Sequence, residues 1–286
     1  MKLAYIISAY KNPEQLIRLV RALNERSTSF WVHVDKRTDD SIFRQMVCGL
    51  HDVGNVRFLP RHRCSWGGFG HVAATLEGID AIVSGGTDVD YVILATGQDY
   101  PIKANSRIEE FLEDHVGAAF LDHFPLPHDA WQNGGLDRIR AWHFRIFRRH
   151  VRIPPAAVSP LGRRFPRGFT PFGGSSYWCL PRECVNYIDR MTHKNPALVR
   201  FFKYVDVPDE IFFQTVLLNS PYRDIIVNDN LRHIDWKDPT AGSPAVLTRS
   251  DFPALAESPK LFARKFDVRV DAGILDMIDE RLLGLE

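Results

Sequence analysis

The stretch Val207-Pro208-Asp209-Glu210-Ile211-Phe212-Phe213-Gln214-Thr215 sets two carboxylates directly ahead of an apolar run. Leu261-Phe262-Ala263-Arg264-Lys265-Phe266-Asp267 sets two cations among aromatic and aliphatic residues. A carboxylate can take the proton of an attacking hydroxyl. Arginine, with its planar fork, and lysine, with its compact charge, can stabilise negative charge on a departing phosphate. The two segments therefore suit a single displacement that needs neither a covalent intermediate nor a metal ion. Glu210 is the expected base, and Asp209 could serve equally. The pattern predicts one helix over Asp209–Leu218, whose N-terminal field would keep Glu210 ionised. A first-turn acid that only complements that field is the plain alternative. Arg249, Arg264 and Lys265 are the expected phosphate partners. Alternation along a strand would let only one of the adjacent pair reach a ligand.

Other residues could complete such a site. Asp35 closes the run Trp31-Val32-His33-Val34-Asp35, where a carboxylate can accept from a uracil or ribose. Thr96-Gly97-Gln98-Asp99-Tyr100-Pro101 follows another strand-like run, so Asp99 is expected at the sheet's ligand edge, although the same residues favour a simple turn. Asp88-Val89-Asp90 has the look of a metal-binding pair but precedes its strand, at the wrong end of the sheet. One remaining carboxylate rarely fixes a divalent ion. Trp236, with Trp131, Asp137, Arg140, Trp142 and His143 of an irregular segment, offers flat faces and polar groups suited to a sugar; aromatics of this kind also fill loop cores.

These residues need a scaffold. Strand-like runs at Leu3–Ser8, Phe30–Val34, Val56–Leu59 and Tyr91–Ala95 alternate with helical periodicity at Pro13–Asn24 and Gly70–Ile82. That order predicts an α/β fold with a mainly parallel sheet covered by helices on both faces, binding ligands beyond the strands' carboxyl ends. Further on, a helix is expected over Ser106–His115, a strand over Ser175–Leu180, helices over Arg182–Met191 and Ala197–Tyr204, and a last helix over about 271–283. The stretch 122–168 lacks periodicity, and the chain beyond Asn219-Ser220-Pro221 reads as loop.

The 286 residues suit a single domain over 1–286, with a nucleotide-binding half of about 1–120 and an acceptor-binding, catalytic half of about 121–286. The formal net charge of +1 gives no global field toward nucleic acid or an anionic membrane. The apolar opening is too short to span a bilayer and lacks the features of a signal peptide. Cys48, Cys64, Cys179 and Cys184 form no CxxC pair, no histidine cluster sits at zinc spacing, and reduced thiols are expected.

Val32-His33-Val34-Asp35, Ser65-Trp66-Gly67-Gly68, Tyr91-Val92-Ile93-Leu94 with Gly97-Gln98-Asp99-Tyr100-Pro101-Ile102-Lys103, Gly174-Ser175-Ser176-Tyr177-Trp178, Pro208-Asp209-Glu210 and the 261–267 segment occur in this order. In that order and spacing the chain resembles the Core-2/I-branching enzyme family. This family includes branching β-1,6-N-acetylglucosaminyltransferases and peptide O-xylosyltransferases. The likeness runs from Ala4-Tyr5-Ile6-Ile7 to Asp267-Val268-Arg269-Val270-Asp271. It implies a GT-A-type fold and inverting, metal-independent transfer of N-acetylglucosamine or xylose from a UDP-sugar to a glycan, glycolipid or protein hydroxyl, with no cofactor. By position it implies Glu210 as base, Lys265 as one of two diphosphate cations and Arg249 as the best match to the other, at a shorter spacing. It likewise implies Asp35 at uridine, Trp236 on the acceptor side, and Asp137 and Arg140 at the acceptor. The family's animal members are anchored in the secretory pathway and carry disulfides. Neither pattern occurs here, so the expectation is a soluble, microbial-type relative in the cytoplasm, with peripheral contact at the membrane's inner face as a variant. The competing readings are a silent UDP-sugar or carbohydrate binder on the same fold, and a metal-dependent nucleotidyltransferase, which would need a well-placed carboxylate pair.

Overall fold

The structure is a computed structural model and describes residues 1–146, 149–154, 163–236 and 243–285. The chain opens with β1 (Leu3–Ala9), α1 (Pro13–Ala22), β2 (Thr28–Val34), α2 (Asp40–Gly49) and β3 (Val56–Phe58). There follow α3 (Gly70–Ser84), β4 (Tyr91–Thr96), β5 (Asp99–Pro101) and α4 (Asn105–Asp114). The middle of the chain supplies β6 (Ala119–Leu121), β7 (Phe124–Pro125), α5 (Leu136–Arg140), β8 (Trp142–Ile146), β9 (Arg149–Ile153), β10 (Phe172–Gly173), β11 (Trp178–Pro181), α6 (Arg182–Lys194), α7 (Pro196–Phe202), α8 (Phe212–Leu218) and β12 (Ile226–Val227). The last stretch adds β13 (Arg232–Ile234), α9 (Phe252–Glu257), β14 (Phe262–Arg264) and α10 (Gly273–Ile278), which runs on as a wider turn over Asp279–Leu283.

Contacts divide the chain into two units. The first comprises Met1–Leu59, Asp88–Gly117 and Leu231–Glu286, and the second Pro60–Thr87 and Ala118–Asn230. In the first unit, β4, β1, β2 and β3 lie side by side in that order, all parallel. Leu3 to Ala9 pairs with Thr28 to Val34. The continuous apolar runs of β1, β2 and β4 are buried, which is what a sheet covered on its faces requires. The expected mainly parallel α/β architecture is borne out here. α1 buries Leu16, Leu19 and Val20, with Pro13 in its first turn. A smaller sheet in the same unit joins β13 to β14 in parallel and β14 to β5 antiparallel.

The second unit holds β11, β6 and β12, with β6–β12 parallel and β6–β11 antiparallel. It also holds the ribbon β7–β10 and the hairpin β8–β9. Trp178, Phe202, Phe212 and Phe213 are buried together in its core.

Several elements differ from the sequence expectation. α2 had not been expected, although Ile42, Phe43, Met46 and Val47 recur at helical spacing; Asp39 caps it by accepting from the Ser41 N–H at 2.7 Å, and Met46 is the one residue it buries. The segment 96–101 is not only a turn, since Asp99–Pro101 pairs with β14. The irregular stretch contains α5 and the hairpin β8–β9. The stretch after Pro221 contains β12, β13 and α9. The strand expected from Ser175 begins at Trp178, because Ser175 and Ser176 are committed to other contacts described below. All four cysteines are free thiols. Among the described residues no helix is long and apolar enough to cross a membrane.

Candidate active site

Glu210 belongs to the second unit, and its position is built from three directions. The expected continuous helix is broken. Pro208–Glu210 forms a separate 3₁₀ turn, Ile211 leaves helical geometry at φ −133°, and α8 starts at Phe212. Val207, just before the turn, sits in the left-handed region at φ 48°. A β-branched residue rarely adopts that geometry, which costs about 1–2 kcal/mol. Backbone anchors impose it. The Asp206 N–H donates to the Arg138 carbonyl at 3.0 Å and the Val207 N–H to the Gly67 carbonyl at 3.0 Å. Pro208 then fixes the first residue of the turn.

The loop after β10 grips the turn from another side. The Gly174 N–H donates to the Glu210 carbonyl at 2.9 Å, and Ser176 Oγ donates to Asp209 Oδ2 at 2.9 Å. Gln214 of α8 holds this loop by donating to the Ser175 carbonyl at 2.6 Å. A side chain at position 174 would collide with the Asp122 carbonyl, so the close approach requires glycine.

The third direction is cationic. Arg138 Nη1 donates to Glu210 Oε2 at 2.6 Å, while its guanidinium lies 3.7 Å from the Trp131 ring centre. The Glu210 side chain keeps 32 % of its surface open, yet its carboxyl is closely surrounded by protein. Burial pushes it up to about 7, the neighbouring Asp209 charge adds to the rise, and Arg138 opposes it. The expectation of a fully ionised acid held by a helix dipole is therefore corrected: burial outweighs the favourable charges. A carboxyl poised near neutrality suits proton transfer. Asp209 Oδ1 is buried without a hydrogen-bond partner among the described residues.

The first unit carries the cations. Arg264 ends β14, and its guanidinium is 3.3 Å from Asp99 Oδ1. Asp99 has no exposed surface and also accepts from the Thr96 N–H at 3.1 Å and the Thr96 hydroxyl at 3.0 Å. The expectation that Asp99 faces a ligand at the sheet's edge is corrected on that ground: its carboxylate is spent on β4 and β14. Arg264, 9 % exposed, is likewise an internal charge and not an open clamp. Lys265 lies just beyond β14, half-buried, with Nζ donating to Ser243 Oγ at 2.9 Å. Burial lowers its pKa, and the charges of Arg264 and Lys11 lower it further. Among the described residues no carboxylate pairs with it. Lys11 pairs with Asp267 at 2.6 Å, two residues past the end of β1.

The remaining candidates are dispersed. Asp35, at the end of β2, is buried and paired with Arg37 at 2.7 Å. Arg249 is exposed and turned to Asp271 at 3.1 Å, although the Leu247 N–H, two residues earlier, donates to the Lys265 carbonyl at 2.9 Å. Trp236, half exposed, follows β13. Asp137 accepts from Asn133 and pairs with Arg152, and Arg140 is exposed. Asp88 and Asp90 sit at the amino end of β4, held by Lys2, as a structural pair. Arg138 and Lys11 escaped the sequence reading, and Ser176 entered it only as part of a motif, without its contact to Asp209. Arg138 is 72 residues from its partner, and nothing in its local pattern separates it from Arg140.

Residues 3–256 match the model of the Core-2/I-branching enzyme family. Xylosyltransferase 1 of Canis lupus familiaris is 29% identical over 99% of this chain and 31% of its own length. Xylosyltransferase 2 of Rattus norvegicus is 30% identical over 99% of this chain and 34% of its own length. The chain thus spans about a third of the length of the curated relatives it matches. Among solved structures, the 4-diphosphocytidyl-2C-methyl-D-erythritol synthase of Anaerococcus prevotii overlays with a TM-score of 0.35 and 12% identity, covering 68% of this chain and 76% of that one. An overlap of that degree specifies neither fold nor activity.

Proposed function

The chain belongs to the Core-2/I-branching enzyme family, a family of glycosyltransferases, and on that footing we propose that it is an inverting, metal-independent transferase using a UDP-sugar. The observation that carries the reading is Glu210, a carboxyl pushed up to about 7 and held by Arg138 on a turn that three sets of backbone contacts fix. In the proposed step Glu210, as carboxylate, takes the acceptor hydroxyl proton. The acceptor oxygen bonds to the anomeric carbon as the bond from that carbon to the diphosphate oxygen breaks. UDP leaves with the bonding pair, and its charge falls to Lys265, with Arg264 adding to the local field and Arg249 as a second candidate. Asp35 is assigned to uridine and Trp236 to the acceptor. The relatives' names favour xylose as the donor sugar, with N-acetylglucosamine the competing choice. The acceptor is a hydroxyl of a glycan, glycolipid or protein.

The test is UDP release from a panel of UDP-sugars with acceptor hydroxyls present, comparing wild type with Glu210→Gln. Release from one donor that falls about 10²–10⁴-fold in the variant is expected for loss of a general base. Near-normal transfer by Glu210→Gln would move the base to Asp209. UDP binding without release from any donor would favour the silent binder.

A further inference from the structure

His143 and His150 stand on opposite strands of the hairpin β8–β9, which folds them together. Nδ1 of His143 lies 2.8 Å from Nε2 of His150, with the rings 5.1 Å apart and 25° from parallel. Nε2 of His150 is 3.8 Å from Oδ1 of Asp206. The three donor atoms all lie within 4.8 Å of one another. None of the three is assigned above to the proton transfer or to the leaving group, although the Asp206 backbone anchors the turn that carries Glu210.

The proton positions follow from the partners. Nε2 of His143 is 2.9 Å from the Asp137 carbonyl, which can only accept. That nitrogen carries the hydrogen, and in the neutral ring the Nδ1 lone pair is aimed at His150 and Asp206. An imidazole whose outer N–H is tied to a carbonyl, with its inner lone pair turned to two further donors, is the arrangement seen around metal-bound histidine. Burial lowers the pKa of both histidines, and the charges of Arg145 and Arg152 act in the same direction. Arg145 pairs with Oδ1 of Asp206, the same oxygen that faces His150, and Arg152 pairs with Asp137. An ion here would share the Asp206 carboxylate with Arg145.

We propose that His143, His150 and Asp206 form a zinc site that fastens the β8–β9 hairpin to the segment leading into Glu210. Two imidazoles and one carboxylate, with water as a fourth ligand, are an ordinary zinc donor set. Zinc–nitrogen bonds of about 2.0–2.1 Å in a tetrahedron put ligand atoms about 3.3 Å apart. The separations of 2.8 and 3.8 Å lie on either side of that value. Small rotations of the two rings would accommodate the ion. On binding, the hydrogen shared between the rings moves to Nδ1 of His150, so the ring stays neutral and its Nε2 lone pair meets the metal. The backbone of the same Asp206 donates to the Arg138 carbonyl, so the ion would tie the hairpin to the chain four residues before Glu210.

A second cluster, Asp80, Asp189 and His193, supplies the control. Its histidine Nδ1 faces the Asp189 carbonyl at 2.9 Å, which leaves that nitrogen no lone pair for a metal. The experiment titrates metal-free, full-length protein with zinc against a chromophoric chelator, and follows the melting temperature. One zinc per chain and a raised melting temperature are expected for wild type and for His193→Ala. His150→Ala, a change on a hairpin residue with much of its side chain exposed, should weaken binding at least about 100-fold. His150→Cys should recover much of it, because a thiolate also ligates zinc. A rescue of that kind would not follow from a packing role. Absence of zinc binding by wild type, or equal binding by wild type and His150→Ala, overturns the proposal. Neither result bears on UDP release, which tests the transfer reading separately.

Discussion

Glu210 can accept a proton only above the pH at which it loses its own. With its carboxyl pushed up to about 7, kcat/KM should rise with pH through neutrality and level off above it. The cause is separable by mutation. Arg138 is the group that pulls this carboxyl down, so Arg138→Ala should carry the rising limb to higher pH and leave the plateau to report any loss of positioning. A pH–rate profile of wild type and variant checks both points. A limb that stays near the ordinary 4.5 of a glutamate, or that does not move without Arg138, would mean that another group sets the profile. Asp209 is the residue to examine then. It accepts from Ser176 through one oxygen, while the other is buried without a hydrogen-bond partner among the described residues.

The elements around Glu210 are held by a loop whose glycines have specific tasks. Gly67 sits at φ +65°, and a Cβ there would come within 2.5 Å of Arg145 Nη2 and 3.2 Å of Asp206 Oδ1. Gly86, in the same unit, has a similar φ of +62° with nothing within 4 Å. Gly86→Ala should therefore show only the backbone cost, about 1–2 kcal/mol. Gly67→Ala should cost more and should lower transfer as well, because Arg145 binds the Trp66 and Gly67 carbonyls and pairs with Asp206. Thermal unfolding and UDP release on the two variants decide it; equal stability and equal rates would show that the Arg145 contacts do not position the turn. The same elements show what the sequence could reveal. Continuous buried runs such as Leu3–Ala9 and Thr28–Val34 are legible because a strand covered on both faces has no polar side. α2 is legible as well, since Ile42, Phe43, Met46 and Val47 recur at helical spacing behind Asp39. The break at Ile211 is invisible to periodicity, since it follows from anchors at Gly67, Arg138 and Gly174, far away in sequence. Glu210 could be named from its local segment, whereas Arg138 could not. Asp99 was misread because turn-forming residue types do not disclose that β14 pairs across them.

At the scale of the whole molecule, 36 basic residues nearly balance 35 acidic ones, so no general field draws in a nucleotide diphosphate. Its charge must be met locally. Lys11, Arg264 and Lys265 are set against Asp99 and Asp267, and Lys265 is the member bonded only to a hydroxyl among the described residues. If this lysine does for the leaving diphosphate what a divalent ion does elsewhere, two results are expected together. Transfer should continue in EDTA at temperatures where the protein stays folded. Lys265→Ala should lose about 10²–10³ in kcat, the cost of removing one positioned donor from developing negative charge. The two results are coupled by the physics of charge. A magnesium ion carried in with the UDP-sugar could stand in for the missing ammonium, so added magnesium should restore part of the Lys265→Ala rate while leaving wild type unchanged. Wild-type transfer abolished by EDTA and restored by magnesium would place the charge compensation on a metal and remove Lys265 from that role.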